Sequence, residues 1–188
     1  MPTLHLFLIF LSLSMTATSS AHSARTEPLQ RLVETSAKRL LLARRVALAK
    51  WDSGAGVEDA AREERILQAV VKNGNALGLD SAQVGDFFRA QFEAGKLIQY
   101  SLLAEWRREG KAPPHTGVDL VNAIRPQLDD IDRQLNEELS ATLEKRSHKT
   151  CRFDVAMAVG NYLDAHRLRA GSLEAIALDR AMAAACAR

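Results

Sequence analysis

Apolar residues recur at spacings of three and four along most of this chain, which is the repeat of an amphipathic α-helix. No segment shows the sustained alternation of apolar and polar residues that a half-buried β-strand requires. The repeat is clearest from Val118 to Leu143, where eight apolar residues follow one another at these spacings. The pattern predicts an all-α fold, a single domain of about six helices whose fourth helix is long and amphipathic.

Glycine, proline and capping residues mark where these helices begin and end. Gly54 and Gly56 end the first helix and Gly78 ends the second. Pro126 predicts a kink or a restart in the fourth, because proline disfavours a helical residue before it. The predicted helices span residues 28–51, 58–77, 81–108, 118–143, 151–169 and 172–185.

The first 23 residues differ from the rest and contain no Lys, Arg, Asp or Glu. A nearly continuous apolar run is followed there by small residues, which is typical of a secretory signal peptide. We predict a signal peptide over residues 1–23, cleaved between Ala21 and Ala24, and a mature domain over residues 24–188 that is periplasmic or secreted and not held in a membrane. A membrane anchor or a wrongly assigned start is the alternative, since no Lys or Arg precedes the apolar run.

Composition and charge narrow the function only a little. Hydrophobic residues make up 47% of the chain and aromatic residues only 5%, so Ala and Leu supply much of the apolar content, which favours helices. The formal net charge is +2, and basic residues alternate with acidic ones, so we expect no nucleic-acid partner. The two cysteines, Cys151 and Cys186, suggest one disulfide in an exported chain and two buried thiols otherwise.

Several classes of enzyme site are absent from the sequence. It contains no Gly-rich phosphate loop, no Gly-x-Ser-x-Gly, no His-Glu-x-x-His and no Cys-x-x-Cys. The five histidines do not share helical spacings that would suggest a metal site. These enzyme classes are therefore improbable, and the histidines give no sign of a metal site. Lys145, Arg146 and His148 are interpreted as a solvated helix end.

Polar residues lie where the helices should face their neighbours. Arg39 and Lys50 are eleven residues apart, about three turns plus 20° at 100° per residue, so both point the same way. The other candidates of this kind are Asp59, Arg62 and Glu63 on the second helix and Gly95 and Gln99 on the third. Spacing alone favours the ordinary interpretation, solvated charges and helical ion pairs.

Taken in order, these residues resemble the all-helical chorismate mutases, most closely their exported, or gamma, subclass. The resemblance extends over essentially the whole mature chain, and no single segment of it is specific. The matching segments are Arg39 with Lys50-Trp51, Val57-Glu58-Asp59-Ala60-Ala61-Arg62-Glu63, Phe87-Phe88-Arg89-Ala90-Gln91-Phe92-Glu93-Ala94-Gly95-Lys96 with Gln99, and Val121-Asn122-Ala123-Ile124-Arg125-Pro126-Gln127-Leu128.

The resemblance implies an isomerase of phenylalanine and tyrosine biosynthesis. Enzymes of this family convert chorismate to prephenate by a pericyclic rearrangement of one substrate, with no cofactor or metal, and they are commonly homodimers. The alternative for this chain is an exported helical binding protein without activity, or a degenerate mutase. Convergence of the candidate side chains on one cavity would favour the enzyme, and scatter over the surface would favour the binding protein.

The resemblance also implies a role for each candidate. Arg39 and Arg125 would bind carboxylate, and Arg62 would bind the other carboxylate of the substrate. Lys50 and Gln99 would donate hydrogen bonds to the ether oxygen. The ring hydroxyl would be held by Glu63 and the backbone near Asp59, while Gly95 offers no side chain where relatives often carry a small polar residue, and Lys96 is expected to be exposed or behind the site.

Overall fold

Every element of regular structure in the computed structural model is helical over the residues it describes, which are 19–187, with side chains from residue 28 onward. The all-α prediction is confirmed. None of the helices in this part of the chain is long and apolar enough to cross a membrane. The helices are α1 (Ser19–Ser53), α2 (Ala60–Ala76), α3 (Ser81–Glu109), α4 (Arg125–Ala141), α5 (Leu143–Ser147), α6 (Cys151–Ala165) and α7 (Leu173–Met182), with a π-helical turn at Leu120–Ile124.

Helices α1 and α3 form the centre of the fold. α1 packs against α3, α4, α6 and α7, and α3 packs in addition against α2. The apolar stripe of α1 is therefore buried from several sides. Trp51 and Trp106 meet edge to face at 6.0 Å where α1 and α3 lie together. The fully buried side chains of these two helices include Leu29, Leu32, Phe87, Phe88, Ile98 and Leu103.

The start of the first helix differs from the prediction. Proline is favoured in the first helical turn, so the pattern put the start at Pro28. In the structure α1 begins at Ser19, and Pro28 lies inside it. A proline inside a helix removes one backbone hydrogen bond and crowds the preceding turn, which costs about 3 kcal/mol but does not forbid the helix. The predicted signal peptide remains a prediction, and residues 1–18 of it lie outside the described residues.

The predicted fourth helix is divided into three pieces. The N–H of Arg125 bonds the carbonyl of Leu120, five residues earlier, which gives the π-helical turn before α4. Pro126 follows in the first turn of α4, where its missing donor is tolerated. Thr142 ends α4, with its hydroxyl donating to the carbonyl of Glu138 at 2.6 Å, and α5 follows. The break predicted at Pro126 is therefore present, and the one at Thr142 was not predicted.

The last two helices are shorter than predicted. α6 ends at Ala165 because Arg167 has a φ of 54°, and the N–H of Leu168 then bonds the carbonyl of Leu163. The predicted disulfide is confirmed, since Cys151 at the start of α6 is bonded to Cys186, which follows α7. The bond ties the start of α6 to the segment after α7.

Arg146 does not belong to a solvated helix end, and that interpretation was wrong. Its side chain is almost completely buried, with 1% of the residue exposed. Nε donates to the carbonyl of Ala185 at 2.6 Å, and Nη1 donates to the carbonyl of Leu139 at 2.9 Å. Arg146 thus joins the end of α4 to the segment after α7, next to Cys186.

Candidate active site

A cavity lies between α1, α2, α3 and the start of α4. Its volume is about 110 Å³, several times the roughly 10–15 Å³ that one water molecule needs. Every candidate from the sequence lines this cavity, so residues from four helices converge on one place: Arg39, Lys50, Asp59, Arg62, Glu63, Gly95, Gln99 and Arg125. Apolar side chains complete its walls: Ala43, Val46, Val57, Ile66, Phe92, Leu120 and Leu128.

Arg39 is held from two helices. Its Nε donates to Oδ1 of Asp132 on α4 at 2.8 Å, and its Nη1 donates to the carbonyl of Gln91 on α3 at 3.2 Å. The guanidinium also lies over the ring of Phe92, 5.2 Å from its centroid. Burial raises the pKa of Asp132, while the positive charge of Arg39 opposes that rise. Two contacts leave the other N–H donors of the guanidinium available.

Lys50 enters the same cavity from the last turn of α1. Its Nζ donates to the carbonyl of Val57 at 2.5 Å, in the loop between α1 and α2. Burial lowers the pKa of Lys50, and the carboxylates of Asp59, Glu58 and Glu63 oppose that shift. The ammonium group has three donors, so it can hold this carbonyl and still bind a second acceptor.

The two arginines on the α2 and α4 side pair with carboxylates of the chain. Asp59 accepts a hydrogen bond from the backbone of Arg62 and so begins α2, while its Oδ2 lies 3.9 Å from Nη2 of Arg125. Nη2 of Arg62 lies 3.3 Å from Oδ1 of Asp129. These contacts are partly exposed, and ion pairs of this kind contribute little net free energy. A carboxylate from a ligand can therefore take the place of either one.

Gln99 and Gly95 face each other one turn apart on α3. Nε2 of Gln99 donates to the carbonyl of Gly95 at 3.1 Å, and Oε1 is buried without a hydrogen-bond partner among the described residues. A Cβ atom at Gly95 would lie 3.7 Å from Nη1 of Arg39. The missing side chain therefore leaves open the space beside this guanidinium.

Lys96 connects three acidic side chains at the edge of the cavity. Its Nζ lies 2.7 Å from Glu93, 3.2 Å from Glu58 and 3.4 Å from Glu63. Although burial acts to lower it, hydrogen bonds with Glu93 and Glu58 raise the pKa of Lys96. The side chain is only 15% exposed, so Lys96 is a mostly covered contact of Glu63 and not a solvated lysine.

These groups together form a site for a small dianion. Three arginines and two lysines line the cavity, one of the lysines being Lys96 at its edge, and the neutral amide of Gln99 lies among them. Guanidinium groups match carboxylates in shape, and a cavity shielded from water strengthens each contact. Within the described part of the chain, no group of His, Cys, Asp and Glu side chains could hold a metal ion.

Known proteins are similar to this chain in both fold and sequence. The crystal structure of chorismate mutase from Burkholderia phymatum is 36% identical and superimposes with a TM-score of 0.83, covering 88% of this chain and 99% of that one. The chain belongs to the chorismate mutase family. The chorismate mutase of Burkholderia thailandensis is 32% identical with a TM-score of 0.79, covering 85% of this chain and 99% of that one.

Two further comparisons extend over different parts of the chain. The family described as chorismate mutase type II matches residues 30–100, which contain most of α1, all of α2 and much of α3. A secreted chorismate mutase from Mycolicibacterium smegmatis is 28% identical over 148 residues, 79% of this chain and 81% of that one. The secreted relative supports membership in the exported subclass of the family, which the resemblance implied.

The sequence interpretation of this chorismate mutase missed two acidic residues of α4. Asp129 contacts Arg62, and Asp132 contacts Arg39. A signal was present for Asp132, because it lies four residues after Leu128 and three before Leu135, on the apolar stripe of its helix. An acidic residue on such a stripe requires a buried partner. Asp129 lies next to the polar Asp130, and its sequence surroundings carried no comparable signal.

Proposed function

We propose that this chain is an exported chorismate mutase, which converts chorismate to prephenate. One observation carries the proposal: the cations and the amide expected from the sequence converge on one cavity. In this reaction one C–O bond breaks and one C–C bond forms within a single molecule, so no group leaves and no proton or electron is transferred. Catalysis then depends on holding the reactive conformation and on stabilising the charge that develops.

The carboxylates of the substrate are assigned to the arginines. Arg39 and Arg125 bind one, and Arg62 binds the other. Arg62 and Arg125 exchange their loose contacts with Asp129 and Asp59 for this purpose. Fixing both ends of a flexible dianion favours the compact conformation in which the new bond forms.

Lys50 and Gln99 are assigned to the ether oxygen. Negative charge grows on this oxygen as the C–O bond breaks, so a donor there stabilises the transition state more than the ground state. Lys50 supplies a compact positive charge, and Gln99 supplies a neutral N–H donor once its Nε2 leaves the carbonyl of Gly95. The ring hydroxyl is assigned to Glu63, whose carboxylate Lys96 holds in place, and to the backbone near Asp59.

The direct test is the loss of chorismate absorbance with purified, oxidised protein. We expect turnover by the wild type and a loss of about 10²–10³-fold or more in kcat for Lys50→Ala, the size expected when an oxyanion donor is removed. Lys72→Ala, which changes an exposed lysine of α2, is the matched control and should leave kcat unaltered. Absence of turnover with retained binding of a dicarboxylate would instead indicate a binding protein.

We also propose that the mature protein is periplasmic or secreted and forms a homodimer. The N-terminal apolar segment supports export, as does the secreted relative from Mycolicibacterium smegmatis. Expression of the full chain and N-terminal sequencing of the exported product should place cleavage between Ala21 and Ala24. A cytoplasmic product with an intact N-terminus would contradict export, and a monomer in sedimentation equilibrium would contradict the dimer.

A further inference from the structure

We propose that Asp132 is a positioning residue for this reaction: it fixes the guanidinium of Arg39 so that the remaining N–H donors face the substrate. The inference rests on the proposed function. Asp132 lies on α4 outside the set of residues that line the cavity, and it acts on the substrate only through Arg39.

The contact between Asp132 and Arg39 differs from the other ion pairs of α4. The exposed fractions of the two side chains are 9% for Arg39 and 4% for Asp132. Asp130 and Arg133, on the same helix, are 64% and 61% exposed. An exposed pair exchanges readily with water, whereas a buried pair holds one geometry because no solvent replaces either partner.

Stability alone is a poor explanation for this pair. Removing two charges from water costs free energy, and well-packed apolar residues often stabilise a fold as well as a buried ion pair does. The carboxylate of Asp132 is also incompletely satisfied, since Oδ2 is buried without a hydrogen-bond partner among the described residues. The one strong contact of Asp132 is with Nε of Arg39, so its effect is concentrated on the orientation of that side chain.

The contacts around Arg39 define which edge of the guanidinium is free. Asp132 takes Nε, the carbonyl of Gln91 takes one N–H of Nη1, and the ring of Phe92 lies against the face of the group. Gln91 is itself fixed, because its Nε2 donates to the hydroxyl of Ser36 and to the carbonyl of Ala181. Three N–H donors remain, two on Nη2 and one on Nη1.

Gly95 completes this arrangement from α3. Its missing side chain leaves open the space next to Nη1 of Arg39, on the side of the cavity. A guanidinium fixed at Nε cannot turn that edge toward the substrate, so it offers its terminal nitrogens. An arginine free to rotate would lose this preference, and displacements of about 1 Å in such groups can cost on the order of 10²-fold in rate.

The test is a double-mutant cycle on the intact exported protein, with chorismate as the substrate. We expect Asp132→Ala to lower kcat/KM by about thirtyfold in the wild type and by less than about threefold in an Arg39→Lys background, since the positioned fork is already absent there. Asp130→Ala, an exposed aspartate on the same helix, is the matched control and should leave kcat/KM unaltered. Circular dichroism and unfolding midpoints establish that each variant is folded.

Two outcomes overturn the positioning role. The first is a kcat/KM for Asp132→Ala within twofold of the wild type. The second is an equal loss in both backgrounds, because a merely structural effect does not depend on the residue at position 39. If Asp132→Ala does not fold, the isosteric Asp132→Asn replaces it, with an expected loss of about fivefold in the wild type and none in Arg39→Lys; the same two outcomes apply. A wild type that does not turn over chorismate refutes the proposed function first, and the positioning role with it.

Discussion

Two arginines are buried among the side chains that the structure describes, and they serve different ends. Arg39 is 7% exposed and Arg146 is 1% exposed. Arg39 pairs with a carboxylate, that of Asp132, and lies at a cavity. Arg146 donates to backbone carbonyls, and burial lowers its pKa to about 10. Burial of a cation therefore does not by itself indicate a binding site. Unused hydrogen-bond donors beside a cavity do indicate one.

The two arginines also differ in what their contacts hold together. Arg146 satisfies the carbonyl of Leu139, one of the last of α4, and the carbonyl of Ala185 after α7. Carbonyls at helix ends lack partners within the helix, so a cation there replaces missing hydrogen bonds. Arg39 satisfies only one backbone carbonyl, that of Gln91. We expect substitutions at Arg39 to change activity and substitutions at Arg146 to change stability.

The largest effect is expected at Arg39. Arg39→Lys keeps the charge beside Asp132 but removes the planar fork, so kcat/KM should fall roughly a thousandfold, about 4 kcal/mol of transition-state stabilisation. The unfolding midpoint should move by only a few degrees. Michaelis kinetics measure kcat/KM, and thermal denaturation measures the unfolding midpoint. A near-normal kcat/KM for Arg39→Lys would contradict the view that Arg39 serves activity whereas Arg146 serves stability.

The disulfide beside Arg146 should affect the free energy of unfolding about as much as Arg39→Lys affects transition-state stabilisation. Cys151 and Cys186 are 35 residues apart, and in the chain-entropy model a crosslink of this length contributes about 4 kcal/mol. The double variant Cys151→Ala/Cys186→Ala should lose most of that in urea unfolding and keep kcat/KM at 25 °C within about threefold. A collapse of activity in the folded double variant would show that the C-terminal region also supports catalysis.

Arg146→Met comes next. The apolar side chain fills most of the space but leaves the carbonyls of Leu139 and Ala185 without this donor, so the free energy of unfolding should fall by about 3 kcal/mol. Arg133→Met, at an exposed arginine of α4, is the control and should change stability little. A substantial loss of kcat/KM in folded Arg146→Met would contradict its structural role.

A smaller effect is expected from Gly95→Ala. The added Cβ would meet Nη1 of Arg39 at 3.7 Å, an ordinary van der Waals distance, so kcat/KM should fall by no more than about threefold. Alanine in a helix should raise the free energy of unfolding by up to about 1 kcal/mol. Gly160→Ala in α6, where nothing lies within 4 Å, provides the same change away from the cavity. A large loss specific to position 95 would show that Arg39 tolerates no neighbour.

The smallest effect is expected from pH. The amide of Gln99 needs no proton to donate, so kcat/KM should vary by less than about twofold between pH 5 and 8. Lys50 must be protonated, and burial lowers its pKa from the usual 10.5, so activity should fall on the alkaline side as pH rises through that lowered value. Gln99→Glu should instead work best in acid, where its carboxyl can donate. A steep decline for the wild type between pH 5 and 8 would oppose the role of Gln99.

Local signals in the sequence predicted the helices well where a cap or a glycine marks the boundary. Asp80 accepts from the backbone of Gln83 and begins α3, and Gly110, with a φ of 73°, ends it. The π-helical turn before Arg125 is also capped, since Asp119 accepts a hydrogen bond from the backbone N–H of Asn122, but such a cap does not distinguish a π-helical turn from an α-helical one. The start of α1 was missed because a proline at residue 28 looks the same inside a helix as at its beginning.

In the candidate site, too, some features could be predicted from the sequence and others could not. Helical spacing put Arg39 and Lys50 on one face but could not say whether that face meets solvent. Only the order of several segments, compared with a family, indicated a common cavity. The sequence could not name Arg39 as the partner of Asp132 or Ala185 as the partner of Arg146, because these lie 93 and 39 residues away. Spacing describes one helix, whereas a buried charge depends on two or more.

Under the proposed function, the carboxylates that face Arg62 and Arg125 have a consequence for product release. Chorismate and prephenate both carry two carboxylates, so a site that binds the substrate tightly also binds the product tightly. Asp59 and Asp129 compete with any incoming anion for Arg125 and Arg62. Under the proposed function, these two carboxylates would weaken the binding of substrate and product alike and would receive the arginines again when the product departs. The cations of the cavity are thus already neutralised in part by the chain itself.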